Sequence, residues 1–174
     1  GDGCPPGHRS ACLDVIRSIR VYSRIMVSIS EKDLSKLRGC ACFNLRKSAR
    51  AVTQFYDRIL KPSGLRGTQF SLLAAAAMND SMNISNLADA LVMERTTLTR
   101  NLRPLERQGL VRISRGEDQR SREVTLTPEG SRRLAVALPL WNQAQGRMEE
   151  GMGRQRLRHL LGDLESTVTI TRRA

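Results

Sequence analysis

The apolar positions of this chain change period along its length, and those changes divide it into elements. Leu34, Leu37, Ala41, Leu45, Ala49, Val52, Tyr56 and Ile59 recur every three or four residues, with Lys36, Arg46, Lys47, Arg50 and Arg58 on the opposite side. This spacing predicts one long amphipathic helix, stopped by Pro62-Ser63-Gly64. Such length suits an interface element. A second helix is predicted over 68–79, with Phe70, Leu72, Leu73 and Ala76 apolar and Asn79-Asp80-Ser81 at its end. A third, short helix spans 84–91, with Asn83 as its N-cap and Ile84, Leu87, Ala88 and Leu91 inside. A fourth spans 95–108, carries a narrow stripe of Leu98, Leu102 and Leu105, and stops at Gly109.

The period then falls to two. Leu110-Val111-Arg112-Ile113-Ser114-Arg115 alternates, and so does Glu123-Val124-Thr125-Leu126-Thr127, with a polar turn over 116–122 between them. This pattern predicts a two-stranded hairpin. Thr127 then serves as N-cap and Pro128 as first residue of a new helix. Two helices are predicted over 128–150 and 154–170, separated by Gly151 and Gly153. The fold class is therefore mainly α with a small β-hairpin wing.

The short third helix, a tight turn and the fourth helix form a helix-turn-helix. A helix that reads duplex DNA needs one face for its own domain and another that offers donors to bases and phosphates. Leu98, Leu102 and Leu105 supply the first face; Arg95, Thr96, Thr99, Arg100 and Arg103 supply the second. A solvated polar face would look the same, but the hairpin directly after it completes the winged-helix order. The hairpin tip is itself basic, with Arg115, Arg120 and Arg122, and Asp118 is placed to pair with Arg120. A basic ribbon of this kind suits phosphates or a minor groove.

Charge agrees with this picture. The 174 residues hold 29 Lys+Arg against 17 Asp+Glu, a formal charge of +12, which favours a polyanionic partner. No apolar run approaches the ~20 residues of a membrane span. The stretch 13–27 is interrupted by Arg17, Arg20 and Arg24, so it is not read as a secretory signal. The expected compartment is the cytoplasm, where thiols stay reduced, so Cys4, Cys12, Cys40 and Cys42 are not read as a disulfide framework. Aromatic residues make up only 3%, which favours duplex readout over base stacking on a single strand.

Taken together, several stretches resemble the MarR family of bacterial regulators. They are Ile84-Ser85-x-Leu87-Ala88, Thr96-Thr97-Leu98-Thr99-Arg100, Leu105-Glu106-x-x-Gly109-Leu110-Val111, Asp118-x-Arg120-Ser121 and Leu126-Thr127-Pro128-x-Gly130. The resemblance covers residues from about 40 to 165. It implies a winged helix-turn-helix homodimer on a pseudo-palindromic operator, with recognition helices in successive major grooves and wings at the flanking minor grooves. In this chain it implies a single domain over 31–174. Within it, 65–128 is the DNA-binding lobe and 34–60 plus 129–172 are dimerisation helices. Residues 1–30 are an N-terminal extension.

By position Thr96, Thr97, Thr99 and Arg100 match the recognition segment, and Asp118 and Arg120 the wing motif. The family further implies a small aromatic ligand between the dimerisation and DNA-binding regions. The chain departs from the pattern in three places. Glu94 is a weaker N-cap than the usual Ser or Asp, Val92-Met93 replaces a turn glycine, and Pro104 lies inside the recognition helix, where it is expected to bend it.

Cys40 and Cys42 form a Cys-x-Cys at the start of the first long helix. Residues two apart point to different sides of a helix, so a shared ion or a disulfide needs a non-helical start or a third group. The functional reading is a thiol-reactive switch; the plainer one is packing as small hydrophobes. The spacing of Cys4, His8 and Cys12 fits no zinc template. No cofactor or metal is expected. The expected function is a sequence-specific, non-enzymatic transcriptional regulator, a stress-responsive repressor released by a small molecule or thiol modification. The competing readings are a thiol- or metal-handling protein using Cys40 and Cys42, and non-specific nucleic-acid binding.

Overall fold

The structure, a computed structural model, describes residues 30–78, 81–116 and 121–173. Cys4, His8, Cys12, Asn79, Asp80, Asp118 and Arg120 lie outside the described residues. The chain divides into two units, 1–47 and 48–174.

In the first unit, helix α1 spans Glu31–Leu37. Ser30 caps it: its Oγ accepts from the Asp33 amide at 3.1 Å and donates to the Asp33 carboxylate at 2.7 Å. That bond and the Lys36 ammonium, 3.0 Å away, hold the Asp33 carboxyl below the usual carboxylate range. Helix α2 (Ala41–Leu60) starts here and runs on into the second unit. The single long helix expected from Leu34 onward is thus two helices. The break falls at Arg38-Gly39-Cys40, where the Asn44 amide donates to the Arg38 carbonyl at 2.8 Å and to the Cys40 carbonyl at 2.9 Å. Glycine is a poor helix former, and the Asn44 side chain takes up carbonyls that a continuous helix would have used. The apolar period runs straight across the break, which hides it in the sequence.

The second unit continues with a 3-10 turn (Lys61–Ser63), α3 (Gly67–Ala77), β1 (Met82–Asn83), α4 (Ile84–Ala90) and α5 (Arg95–Arg107). Strands β2 (Val111–Arg115) and β3 (Arg122–Leu126) follow, then α6 (Pro128–Met152) and α7 (Arg154–Arg173). The sheet is antiparallel, in the order β1-β3-β2, with Val111 opposite Leu126, Ile113 opposite Val124, and Met82 opposite Val124 on the other edge. The sequence predicted two strands; β1 is a third. Two residues are too short to show alternation. Asn83 ends this strand and caps α4, its Oδ1 accepting from the Ser85 amide at 2.8 Å.

The core gathers the stripes read from the sequence. Leu73, Leu87, Leu98, Leu102, Leu105 and Val124 are all 0% exposed, each fully buried leucine contributing roughly 1.5–3 kcal/mol. Leu60 and Ala137 bring α2 and α6 onto the same cluster. Thr127 fastens the entry to α6: its Oγ1 accepts from the Gly130 amide at 3.0 Å and donates to the Gly109 carbonyl at 2.6 Å. Gly130 is buried, and a Cβ there would overlap the Leu110 carbonyl oxygen.

Candidate nucleic-acid interface

Helix α4, a turn and α5 carry the candidate interface. The end of α4 closes with a Schellman motif, the Met93 amide donating to the Ala88 carbonyl at 2.8 Å. The residue at its left-handed position is Val92, with φ 54°. The end of α5 closes the same way, Leu110 amide to Leu105 carbonyl at 2.9 Å, but with Gly109 at φ 68°. Glycine fits that conformation at no steric cost; a β-branched residue does not. The absent turn glycine is therefore a strained valine that keeps the same turn.

The two faces of α5 divide as the leucine stripe predicts. Leu98, Leu102 and Leu105 are sealed inside. On the other side Arg95, Thr96, Arg100 and Arg103 are exposed and Thr99 is half-buried. These five side chains line one shallow, open concavity of about 610 Å³. Thr97, half-buried, is not part of it; at about 100° per residue it falls on the far edge of the helix. Glu94 stands at the N-cap and makes no side-chain capping bond. The first-turn amides, the positive end of the helix dipole and Arg95 thus share one end of the element. Pro104 sits within a helix that continues to Arg107.

On the wing, Arg115 and Arg122 are exposed and directly opposite each other across the β2–β3 pair. Like charges facing across a ladder are destabilising, unless an anion lies between them. The Gly116 amide donates to the Ser121 carbonyl at 3.1 Å; Asp118 and Arg120, between them in sequence, lie outside the described residues. One anchor was not singled out in the sequence. The Glu123 carboxylate accepts from Ser81 Oγ at 2.6 Å, tying β3 to the segment before β1. Nothing in an alternating strand marks that glutamate from any other outward residue.

Two further features lie elsewhere. Cys40 is half-buried just before α2, and Cys42, in the first turn of α2, is exposed. The start of the Cys-x-Cys is therefore non-helical. In the second unit, a cavity of about 260 Å³ lies among α2, α3 and α6, lined by Val52, Tyr56, Leu60, Phe70 and Trp141 among others. Trp141 stacks on Phe70 at a centroid distance of 5.9 Å. Tyr56 Oη donates to Gln145 Oε1 at 2.7 Å, and burial pushes its phenol above the ordinary tyrosine range. Among the described residues no helix is long and apolar enough to cross a membrane.

Comparison with known proteins places this geometry. Residues 65–121, α3 through the wing loop, match the MarR family. The organic hydroperoxide resistance transcriptional regulator of Bacillus subtilis is 30% identical over 110 residues, 62% of this chain and 75% of that protein. The M. tuberculosis transcriptional regulator MosR, solved in complex with DNA, is 41% identical with a TM-score of 0.69, over 76% of this chain and 98% of that one. The transcriptional repressor CouR, bound to a 23-mer DNA duplex, is 28% identical with a TM-score of 0.69, over 80% and 99%. CouR has also been solved bound to p-coumaroyl-CoA, at 27% identity and a TM-score of 0.68, over 76% and 94%. The winged helix-turn-helix, its two-faced α5 and these likenesses lead to one conclusion: the chain belongs to the MarR family of transcriptional regulators.

Proposed function

We propose that the protein is a sequence-specific, non-enzymatic regulator that binds double-stranded DNA as a homodimer on a pseudo-palindromic operator and represses transcription until an effector releases it. The observation that carries this reading is α5, with three leucines sealed on one side and Arg95, Thr96, Thr99, Arg100 and Arg103 lining one concavity on the other. Arg100 and Arg103 suit bidentate recognition of guanine, and the first-turn amides with Arg95 suit phosphate. Thr97 is assigned to the edge of the same contact. Arg115 and Arg122 would meet the flanking backbone or minor groove, and Asp118 and Arg120 are assigned to the same contact by the family pattern. The likeness to MosR and to CouR, both solved with DNA, supports this docking.

The lobe over 65–128 is read as the DNA-binding part, 34–60 and 129–172 as dimerisation helices, and 1–30 as an N-terminal extension. Exposed apolar side chains support the dimer: Val52 on α2, and Leu160, Leu161, Leu164 and Val168 on α7. A protein acting on chromosomal DNA of this kind is assigned to the cytoplasm.

Two release routes have support. The cavity beside Tyr56 and Trp141 has room for one small aromatic ligand, and CouR is solved with an aromatic acyl-CoA. The exposed Cys42 and its neighbour Cys40 suit oxidation, and one relative is by name a hydroperoxide resistance regulator. In the thiol route a hydroperoxide oxidises one cysteine to a sulfenic acid and leaves as the alcohol. The second thiol then displaces water to form a disulfide.

Footprinting on the DNA flanking its own gene tests the reading. The expected result is a protected two-fold-symmetric site, lost on adding cumene hydroperoxide or a phenolic acid. Cys40→Ser/Cys42→Ser should abolish only the hydroperoxide response. No protected palindrome would refute the proposal.

A further inference from the structure

Thr99 differs from the other polar residues of the α5 concavity in one respect. Its Oγ1 donates to the Arg95 carbonyl one turn back, at 2.8 Å. A hydroxyl has a single proton, so Thr99 has no donor left for a base. The bond also holds a β-branched side chain in one χ1 setting. With the oxygen engaged by the helix backbone, the methyl is the group left to contact a partner, and Thr99 lines the concavity together with Arg95, Thr96, Arg100 and Arg103. Those neighbours present charged donors or, in Thr96, a hydroxyl that makes no backbone hydrogen bond among the described residues; Thr99 presents an apolar point among them.

The major groove has one apolar feature of matching kind, the C5 methyl of thymine. Guanine and adenine place hydrogen-bonding atoms along that edge, and cytosine has only a hydrogen at C5 where thymine has its methyl; burying the polar atoms against a methyl would leave them unpaired. We propose that Thr99 selects a thymine in each operator half-site by packing its methyl on the thymine C5 methyl. This rests on the reading of α5 as the recognition helix. It adds a base identity and assigns it to one residue. Cytosine is rejected for lack of the methyl, and adenine because its N6 amine would have to find Oγ1 through the methyl face.

The test begins with selection of bound sequences from a random duplex pool. In the selected site, each thymine is then replaced singly by deoxyuridine, which removes only the C5 methyl. One replacement per half-site should weaken wild-type binding about fourfold, the worth of one buried methyl-sized group. Thr99→Val keeps the methyl without the hydroxyl and should retain the preference for thymine over uracil. Thr99→Ser keeps the hydroxyl without the methyl and should bind both duplexes equally.

If no single replacement weakens the wild type, or Thr99→Ser keeps the preference, or Thr99→Val loses it, the proposal is overturned while the DNA-binding reading stands. If the wild type selects no site at all, both are overturned. Far-UV circular dichroism and a cooperative melting transition like that of the wild type confirm that the variants are folded.

Discussion

Asp57 of α2 holds the start of α3: its Oδ1 accepts from the Gly67 amide at 2.6 Å. Gly67 opens α3, and a Cβ there would come within 3.3 Å of the same oxygen. The carboxylate thus satisfies a first-turn amide and sits at the positive end of the helix dipole, a combination worth roughly 1–2 kcal/mol. Asp57→Ala is expected to lower unfolding stability by about that amount in urea titration. Asp57→Asn, which keeps an acceptor, should lose less. Equal stability of all three would show that the contact contributes nothing.

Gly130 is fixed by space rather than by backbone angle. The chain enters α6 so close to the Leu110 carbonyl that no Cβ fits. Gly130→Ala must therefore push α6 away from the α5–β2 turn, at an expected cost of about 3 kcal/mol. An unfolding free energy from chemical denaturation within about 1 kcal/mol of wild type would contradict that packing.

This position also shows where the sequence was legible. The stretch Leu126-Thr127-Pro128-x-Gly130 reads as a strand end, an N-cap and a helix start, and each residue takes that part. The buried stripes Phe70/Leu73/Ala76, Ile84/Leu87/Ala88 and Leu98/Leu102/Leu105 were legible because a one-sided apolar period has a single way to be buried. Features without a period were not. The break at Gly39 interrupts no apolar repeat, β1 is two residues long, and the Ser81–Glu123 bond joins residues 42 apart in sequence. The polar face of α5 was legible apart from Thr97, which the family pattern groups with its neighbours but helix geometry turns aside.

Val92 holds a left-handed φ of 54° with more than half of its surface exposed. A left-handed residue with a Cβ costs roughly 1–2 kcal/mol, and glycine carries back about 0.5–1 kcal/mol as unfolded-chain entropy. Val92→Gly is expected to raise the thermal midpoint, by a net gain on the order of 0.5–1 kcal/mol. A drop in the midpoint would mean that Val92 makes packing contacts that outweigh its strain.

Tyr56 gives a pH dependence with a definite sign. Burial raises the phenol in the folded state above its value in the unfolded chain. The folded state therefore holds its proton longer. The associated stability is fully present below the unfolded value and is lost as pH climbs through the folded one. Tyr56→Phe gives up the bond to Gln145 but has nothing to ionise. The wild type should be the more stable at neutral pH, by about 1 kcal/mol, and its advantage should shrink as pH rises beyond the ordinary tyrosine range. Melting curves of both proteins at neutral and strongly alkaline pH measure this. An advantage that grows with pH would reverse the assignment.

The central claim is that the polar face of α5 reads duplex sequence. The most direct measurement is competition between the selected duplex and a random duplex of equal length, for wild type and Arg100→Ala, across a salt series. The wild type should prefer its selected site by roughly a thousandfold or more, with both affinities falling steeply with salt. Arg100→Ala should cost about 1–3 kcal/mol on the selected duplex and much less on the random one, narrowing the ratio. Equal wild-type affinities for the two duplexes, or a ratio unchanged by Arg100→Ala, would contradict the account.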